Sequence, residues 1–292
     1  MIKKLLKGVF NVIPFKKQLF TITRATFRLK EPLYKHLYFK GVFKVAIDKQ
    51  HSFKIMHHGY QVENEIFWEG IEDGWEKHSM RVWMALTKRS NVIFDVGANT
   101  GVFSLVSSSL NPAAKVYAFE PVARVYKKLV ANKELNNYPI TTCDKALSNY
   151  DGKAVIFDIE ADHTYQASVN KNFQPQPEKA KQVDIEVVTL KTFIETNNIS
   201  GIDLMKIDVE THEPEVLEGF GPYLERFRPA LLIEILDDEI AAKVSKLVAP
   251  VNYLYFNIDE HTGIRQTATI GKSDFFNYLF CSREQAEYLK LI

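Results

Sequence analysis

From Asn91 onward, short apolar runs alternate with amphipathic stretches, and this alternation restricts the fold more than any other feature. The runs are "NVIFDVG", "KVYAFEP", "ITTCDKALS", "IDLMKIDVE" and "RPALLIEIL". Apolar runs of this length read as strands buried on both faces, the first ending at Gly97 and the second broken by Pro121. Between them stand "GVFSLVSSSL", "VARVYKKLVANKEL", "LKTFIETNN" and "PEVLEGF", which read as helices. In the second of these, Val122, Val125, Leu129 and Val130 fall on one side. Strands joined by helices of this length imply βαβ units. The fold class is therefore α/β, a doubly wound, mostly parallel sheet with helices on both faces. "KAVIFDIE" and "VDIEVVTL" add an antiparallel pair. "DEIAAKVSKLV", "YLYFNID", "FNYLFCS" and "EQAEYLKLI" complete the pattern. The polar segment 163–182 between the antiparallel pair reads as a surface loop or as a lid.

Residues 1–90 follow other rules and form a separate N-terminal region, with the α/β domain spanning 91–292. "GVFKVAID" and "SFKIMHHG" read as a hairpin, and "ENEIFWEGIEDGWEKHSMRVWMALTKRS" as a helical cap containing Trp68, Trp75 and Trp83. The tryptophans fit packing onto the sheet, or stacking on a flat acceptor. Residues 1–40 carry ten Lys/Arg and one acid, Glu31, whereas the rest of the chain has a balance of −8. This basic arm, with Leu5, Leu6, Val9 and Phe10 among its lysines, has the composition of a segment lying on an anionic membrane surface. Packing of the arm on the core is the other reading. An acidic body without an RNA-recognition motif argues against nucleic acid as partner. No apolar run approaches the ~20 residues that span a bilayer. Lys16 and Lys17 interrupt the first apolar stretch, which argues against a signal peptide. Two cysteines, Cys143 and Cys281, offer neither metal spacing nor a disulfide framework and suit a reducing, cytoplasmic setting.

"FDVGANTG" places a strand end, a tight turn and a helix start in eight residues. Ligands on doubly wound sheets bind outside the carboxyl ends of the strands, and glycines let the backbone approach them. The spacing is G-x-x-x-G, with Asn99 where a dinucleotide fingerprint needs glycine. Asp95 adds negative charge where a diphosphate would sit, and suits a ligand bearing an amine or another cation. S-adenosylmethionine (SAM) carries both a sulfonium and an α-amino group. Glu120, at the tip of the second strand, is placed to accept from ribose hydroxyls. Asp144, after the third, could reach an adenine amino group or simply serve its turn.

"FDVGANTGVFSL", "AFEPVARVYKKLVANKELN" and "LMKIDVETHEPEVLEGF", in this order and followed by "RPALLIEI", resemble the FkbM family of class I SAM-dependent methyltransferases. The resemblance covers roughly 91–236. It implies the seven-stranded methyltransferase sheet and methyl transfer from SAM, usually to oxygen, on sugars, glycans or polyketide-like products. Asp95, Gly97, Ala98, Asn99, Gly101, Glu120 and Pro121 would then hold SAM. Thr211 stands where the family commonly has glycine.

Lys206, Asp208 and Glu210 alternate along the fourth core strand and so would share one face. Methyl transfer to a hydroxyl needs alignment and removal of a proton. Asp208 or Glu210 is the candidate to orient the acceptor or act as base, His212 the alternative base, and Lys206 the cation that keeps an acid ionised. Glu213 either joins them or caps the helix at Pro214. A salt-bridged network with a purely structural role fits the same residues. Oxygen ligands suit a divalent ion, but no full ligand set is visible. The leading expectation is O-methylation of a small-molecule or glycan acceptor. The competitors are a nicotinamide-dependent oxidoreductase or epimerase and a non-catalytic scaffold at a membrane surface. Oligomeric state has no signal in the sequence.

Overall fold

The computed structural model describes residues 15–158, 167–168 and 181–292. Its strands are, in chain order, β1 (Gly41–Ala46), β2 (Ser52–His57), β3 (Val92–Val96), β4 (Lys115–Phe119), β5 (Thr141–Cys143), β6 (Ala146–Ser148), β7 (Gly152–Asp158), β8 (Ala167–Ser168), β9 (Lys181–Thr189), β10 (Leu204–Ile207), β11 (Ala230–Glu234), β12 (Leu254–Asp259), β13 (Gly263–Thr267) and β14 (Asn277–Cys281). The central sheet has the order β13-β12-β14-β11-β10-β3-β4-β5. From β11 to β5 all neighbours are parallel, whereas β14 is antiparallel to both β11 and β12. This is the α/β sheet that the alternation implies, with an eighth strand, β13, hairpinned onto the edge of seven. The chain builds outward from β3 through β4 to β5, then returns to place β10 on the other side of β3. That reversal opens a crevice at the carboxyl ends of β3 and β10.

Alternate residues of the core strands feed two apolar layers. Ile93, Leu204 and Leu232 face one, and Phe94, Met205 and Ile233 the other. The first layer is shared with the N-terminal region, since Phe43, Phe53, Phe67 and Trp83 belong to it. Trp83 is fully buried; its indole N–H donates to the Ser107 hydroxyl at 2.8 Å and its ring meets Phe103 edge-on. Trp68 donates to the Leu37 carbonyl at 2.9 Å. Trp83 thus packs the cap onto the body, while Trp68 ties it to the segment before the hairpin. β1 and β2 form the expected hairpin.

Three local readings change. The third run splits at Asp144 and Lys145: β5 ends the central sheet, while β6 pairs with β9 in a separate sheet of order β6-β9-β7-β8. The helical cap divides into Gln61–Glu69 and Lys77–Thr87, interrupted by Gly70, with φ 88°, and Glu76, with φ 47°. The fourth core strand stops at Ile207 rather than running to Glu210. The antiparallel pair of β7 and β9 is as expected. Of the segment 163–182, only β8 and the start of β9 lie within the described residues, as does none of the arm before Phe15. Among the described residues no helix is long and apolar enough to cross a membrane.

The helix Glu213–Phe220 lies so close to β6 that a Cβ on Gly219 would stand 1.9 Å from the Ser148 carbonyl oxygen. Gly219→Ala should therefore cost about 2–4 kcal/mol in a denaturant titration. Gly201→Ala, where a Cβ meets nothing within 4 Å, should stay within about 0.5 kcal/mol of the parent.

Candidate active site

Two strand ends meet at the crevice. The parallel register sets Lys206 beside Asp95, so both side chains leave the same face of the sheet. Both are almost completely buried. Lys206 Nζ lies 2.5 Å from Asp208 Oδ2 and 4.8 Å from the centre of the Phe103 ring. Burial alone would push the Lys206 ammonium down. The carboxylates of Asp208, Glu76 and Asp95 outweigh that and hold it above its ordinary value.

The "DVGANTG" turn follows β3. Gly97 has φ 78°, and a Cβ there would stand 1.8 Å from the Asp208 carbonyl oxygen. Glycine is required for the closeness of the two strand ends. The N–H groups of Gly97 and Ala98 donate to the Phe119 carbonyl at 3.1 and 2.9 Å. Gly101, at φ 90°, admits Leu129, whose Cδ1 would be 2.5 Å from a Cβ; it does not line the cavity described below. Asp95 Oδ2 accepts from the Ser104 N–H at 3.0 Å and the Ser104 hydroxyl at 2.6 Å. The carboxylate thus sits at the first turn of the helix Val102–Leu110, where the helix dipole favours negative charge. Its Oδ1 is buried with no partner, as is Asn99 Oδ1. Glu120 Oε2 accepts from the Asn99 N–H at 3.1 Å and Oε1 from the Val122 N–H at 2.9 Å. Burial pushes the Glu120 carboxyl up to about 7.

These groups line a cavity of about 400 Å³ together with Pro121, Lys206, Asp208, Glu210 and His212. Asp144 is exposed and outside it; Lys145, Ala146 and Leu147 line the wall instead. The lining also holds Trp75, alone of the three tryptophans read as packing or acceptor-stacking residues, and Glu76 and Glu234, which the sequence does not single out as cavity residues. Glu76 reaches the cavity from the N-terminal region, and Glu260 secures the helix that follows it. Glu260 Oε2 accepts from the His78 N–H at 2.6 Å, and Oε1 from the Ser79 hydroxyl at 2.5 Å. Glu76 Oε2 and Glu234 Oε2 are enclosed without partners. Burial pushes Glu76 up to about 8. The sequence carries one signal for Glu76: it opens the amphipathic helix that leads straight into β3.

Beyond β10 the chain turns sharply. Glu210 has φ 54° and Thr211 φ 85°, so Asp208 and Glu210 converge through a turn and not along one strand face. Thr211 takes the conformation that a glycine would, and it caps nothing: the N-cap of Glu213–Phe220 is His212, without a side-chain bond. Glu213 is fully buried and its Oε1 accepts from the Val209 N–H at 3.1 Å. It closes the turn and does not line the cavity. Burial pushes Glu210 up to about 7, with Asp208 adding to the effect. His212 Nε2 is 3.0 Å from the Ser148 hydroxyl and Nδ1 3.5 Å from Glu215 Oε2. Burial lowers the His212 pKa, which favours the neutral ring. Among the described residues no set of three or more His, Cys, Asp or Glu is placed to hold a metal ion.

The match to known proteins decides the family. Residues 95–267 match the model of the Methyltransferase FkbM domain. The chain belongs to the FkbM methyltransferase family. It is 29% identical over 153 residues to Methyltransferase sdnD of Sordaria araneosa, covering 44% of this chain and 59% of that one. The figures for 31-O-demethyl-FK506 methyltransferase FkbM of Streptomyces tacrolimicus are 28%, 44% and 59%. For hexuronic acid methyltransferase AglP of Haloferax volcanii they are 24% over 191 residues, 62% and 74%. The chain thus spans about three-fifths of the length of the first two relatives. A solved FkbM methyltransferase from Methylobacillus flagellatus superposes with a TM-score of 0.42 at 13% identity, over 65% of this chain and 43% of that one. Glu76 and Trp75 lie outside the matched FkbM segment.

Two measurements test this geometry. Left-handed backbone at a β-branched residue costs about 1–3 kcal/mol, partly offset by the entropy a glycine loses on folding. Thr211→Gly should therefore raise stability by about 1 kcal/mol in chemical denaturation. The second concerns pH. His57, His58, His78 and His212 are lowered by burial, so their difference from the unfolded chain, where they titrate around 6.5, is spent by about pH 7.5. Glu76 and Glu213, raised to about 8, still bind protons in the folded state that the unfolded chain has lost. Stability of the ligand-free protein should then fall as pH rises from about 7.5 to 8.5. Glu76→Gln should flatten that fall in thermal melts.

Proposed function

We propose that the chain is a SAM-dependent methyltransferase that methylates a hydroxyl of a sugar-like or related oxygen-rich acceptor. The observation that supports this most is the charge of the cavity. Glu76, Asp95, Glu120, Asp208, Glu210 and Glu234 line it against two lysines. Both lysines are in ion pairs, Lys206 with Asp208 and Lys145 with Glu186 at 2.8 Å. A diphosphate would meet this surplus of carboxyl groups without a spare cation. A ligand that brings positive charge and hydrogen-bond donors would satisfy it. SAM fits in those terms: Asp95 Oδ1 and Asn99 Oδ1 lack donors, and Glu120 has its remaining lone pairs for ribose hydroxyls.

Bound SAM supplies an electrophilic methyl group on a good leaving group. The chain supplies the rest. Asp95, Asn99 and Glu120 hold the cofactor, in the turn that Gly97, Ala98 and Gly101 shape and beside Pro121. Lys206 keeps Asp208 fixed in one orientation, which suits Asp208 to positioning the acceptor. Glu210, raised to about 7, is the base that takes the hydroxyl proton, since a general base works best with a pKa near the working pH. His212, whose Nε2 meets the Ser148 hydroxyl at 3.0 Å, supports the turn. Glu76 and Trp75, from the N-terminal region, form the acceptor wall. Among the relatives, one is named for a 31-O-demethyl acceptor and one for a hexuronic acid, which supports an oxygen-rich acceptor.

Calorimetry with S-adenosylhomocysteine tests the cofactor assignment. Binding in the micromolar range, with none of NAD, is expected, and Asp95→Ala should weaken it by about a hundredfold or more through loss of a charge-assisted bond. Glu210→Gln should leave that affinity within about threefold and lower labelled methyl transfer to a panel of sugars by about 10²–10⁴-fold. Unchanged transfer in Glu210→Gln would remove it as the base.

A further inference from the structure

A second feature lies outside the cavity and concerns where the protein works. Five of the ten exposed large hydrophobic residues among the described residues fall between Phe15 and Leu33. Three of them, Phe15, Leu19 and Ile22, are 74%, 50% and 66% exposed. They recur at i, i+4 and i+7, so they form one stripe along the helix Lys16–Thr26. Phe27 and Leu33 extend the apolar surface past its end.

The helix is not loosely attached. Its other side is held to the helical cap by Phe20, which is buried with its ring 5.7 Å from that of Trp68. Arg24 donates to the Phe67 carbonyl and lies 4.5 Å over the Phe67 ring. Arg28 approaches Asp73 at 3.6 Å. The fold thus fixes the helix by one face and presents the apolar stripe on the other. An exposed apolar surface held in this way marks an interaction site more often than a random exposure does.

Charge beside the stripe indicates what covers it. Phe15, Lys16, Lys17, Gln18, Phe39 and Lys40 line a cavity of about 430 Å³. Three lysines therefore gather where the stripe begins. Residues 1–40 carry ten Lys/Arg against one acid, while the remaining chain is acidic by eight charges. A second copy pairing through this stripe would bring two strongly basic arms together. A surface that is apolar below and anionic above matches both halves of the feature.

We propose that the helix Lys16–Thr26 docks the protein on an anionic lipid surface. Phe15, Leu19 and Ile22 enter the boundary between headgroups and acyl chains, and Lys16, Lys17 and Lys40 engage headgroup phosphates. The contact is peripheral. The inference is independent of the methyl-transfer reading, because none of these residues lines the candidate active site.

Co-sedimentation of the full chain with vesicles tests it. Vesicles of phosphatidylcholine with about one-third phosphatidylglycerol should bind the protein, and vesicles of phosphatidylcholine alone should not. Raising salt from about 0.1 to 0.5 M should weaken binding as headgroup charge is screened. The double variants Leu19→Glu/Ile22→Glu and Lys17→Glu/Lys40→Glu should each reduce partitioning by about tenfold or more, with melting temperatures close to the parent's. Failure of the parent to bind phosphatidylglycerol vesicles would overturn the proposal. So would equal binding to both vesicle types, or variants that bind as well as the parent. A parent that sediments as a dimer without lipid, and that Leu19→Glu/Ile22→Glu converts to monomer, would assign the stripe to a second copy and overturn it equally.

Discussion

The ammonium of Lys206 is the group around which the crevice is organised. It stands in the centre of a parallel sheet, beside Asp95 in register and against the Phe103 ring. A charge in such a place is tolerated only with partners. The protein supplies Asp208 in direct contact, with Asp95 and Glu76 close enough to add to the field. Removing one partner of a buried pair typically costs about 3–5 kcal/mol, so the position of each strand end is tied to the same ion. The acids then exceed what one ammonium can neutralise. That surplus, destabilising in the empty protein, is what a cationic cofactor and a hydroxyl-bearing acceptor can relieve.

Close backbone contact makes the cluster compact. Gly97 lets the turn after β3 touch the Asp208 carbonyl, and the Asp208 N–H donates to the Val96 carbonyl at 3.1 Å. The turn at Glu210 and Thr211 then folds the chain back over the cavity. From the other side the N-terminal region closes it, with Glu76 held at φ 47° and Glu260 gripping the helix beyond. The cavity therefore joins groups from the matched FkbM segment to groups from before it. In our reading the former hold the cofactor and the latter shape the acceptor space.

How far this could be read from sequence follows from the range of each interaction. The core strands, their parallel order and the "DVGANTG" turn depend on local apolar runs and glycine spacing, and these are visible along the chain. The Lys206–Asp208 pair is equally local. Glu76 was not legible as a cavity residue, because only the fold carries it across 130 positions to Lys206. The strand carrying Lys206 was read too long, since nothing in "DVET" announces left-handed backbone at Glu210 and Thr211. For Asp144 the sequence leaves an adenine contact and a turn role open; the run breaks there, and the residue is exposed and outside the cavity. β13 has neither apolar alternation nor a long run, and gains its place only by pairing with β12.

The central claim is that the acids at the crevice receive SAM. A crystal structure of the protein with S-adenosylhomocysteine tests it most directly. The account predicts the ribose hydroxyls on Glu120, the amino group on Asp95 Oδ1 and Asn99 Oδ1, and the sulfur directed toward Asp208 and Glu210. Density for the ligand elsewhere, or a ribose turned away from Glu120 with Asp95 Oδ1 still lacking a donor, would contradict it.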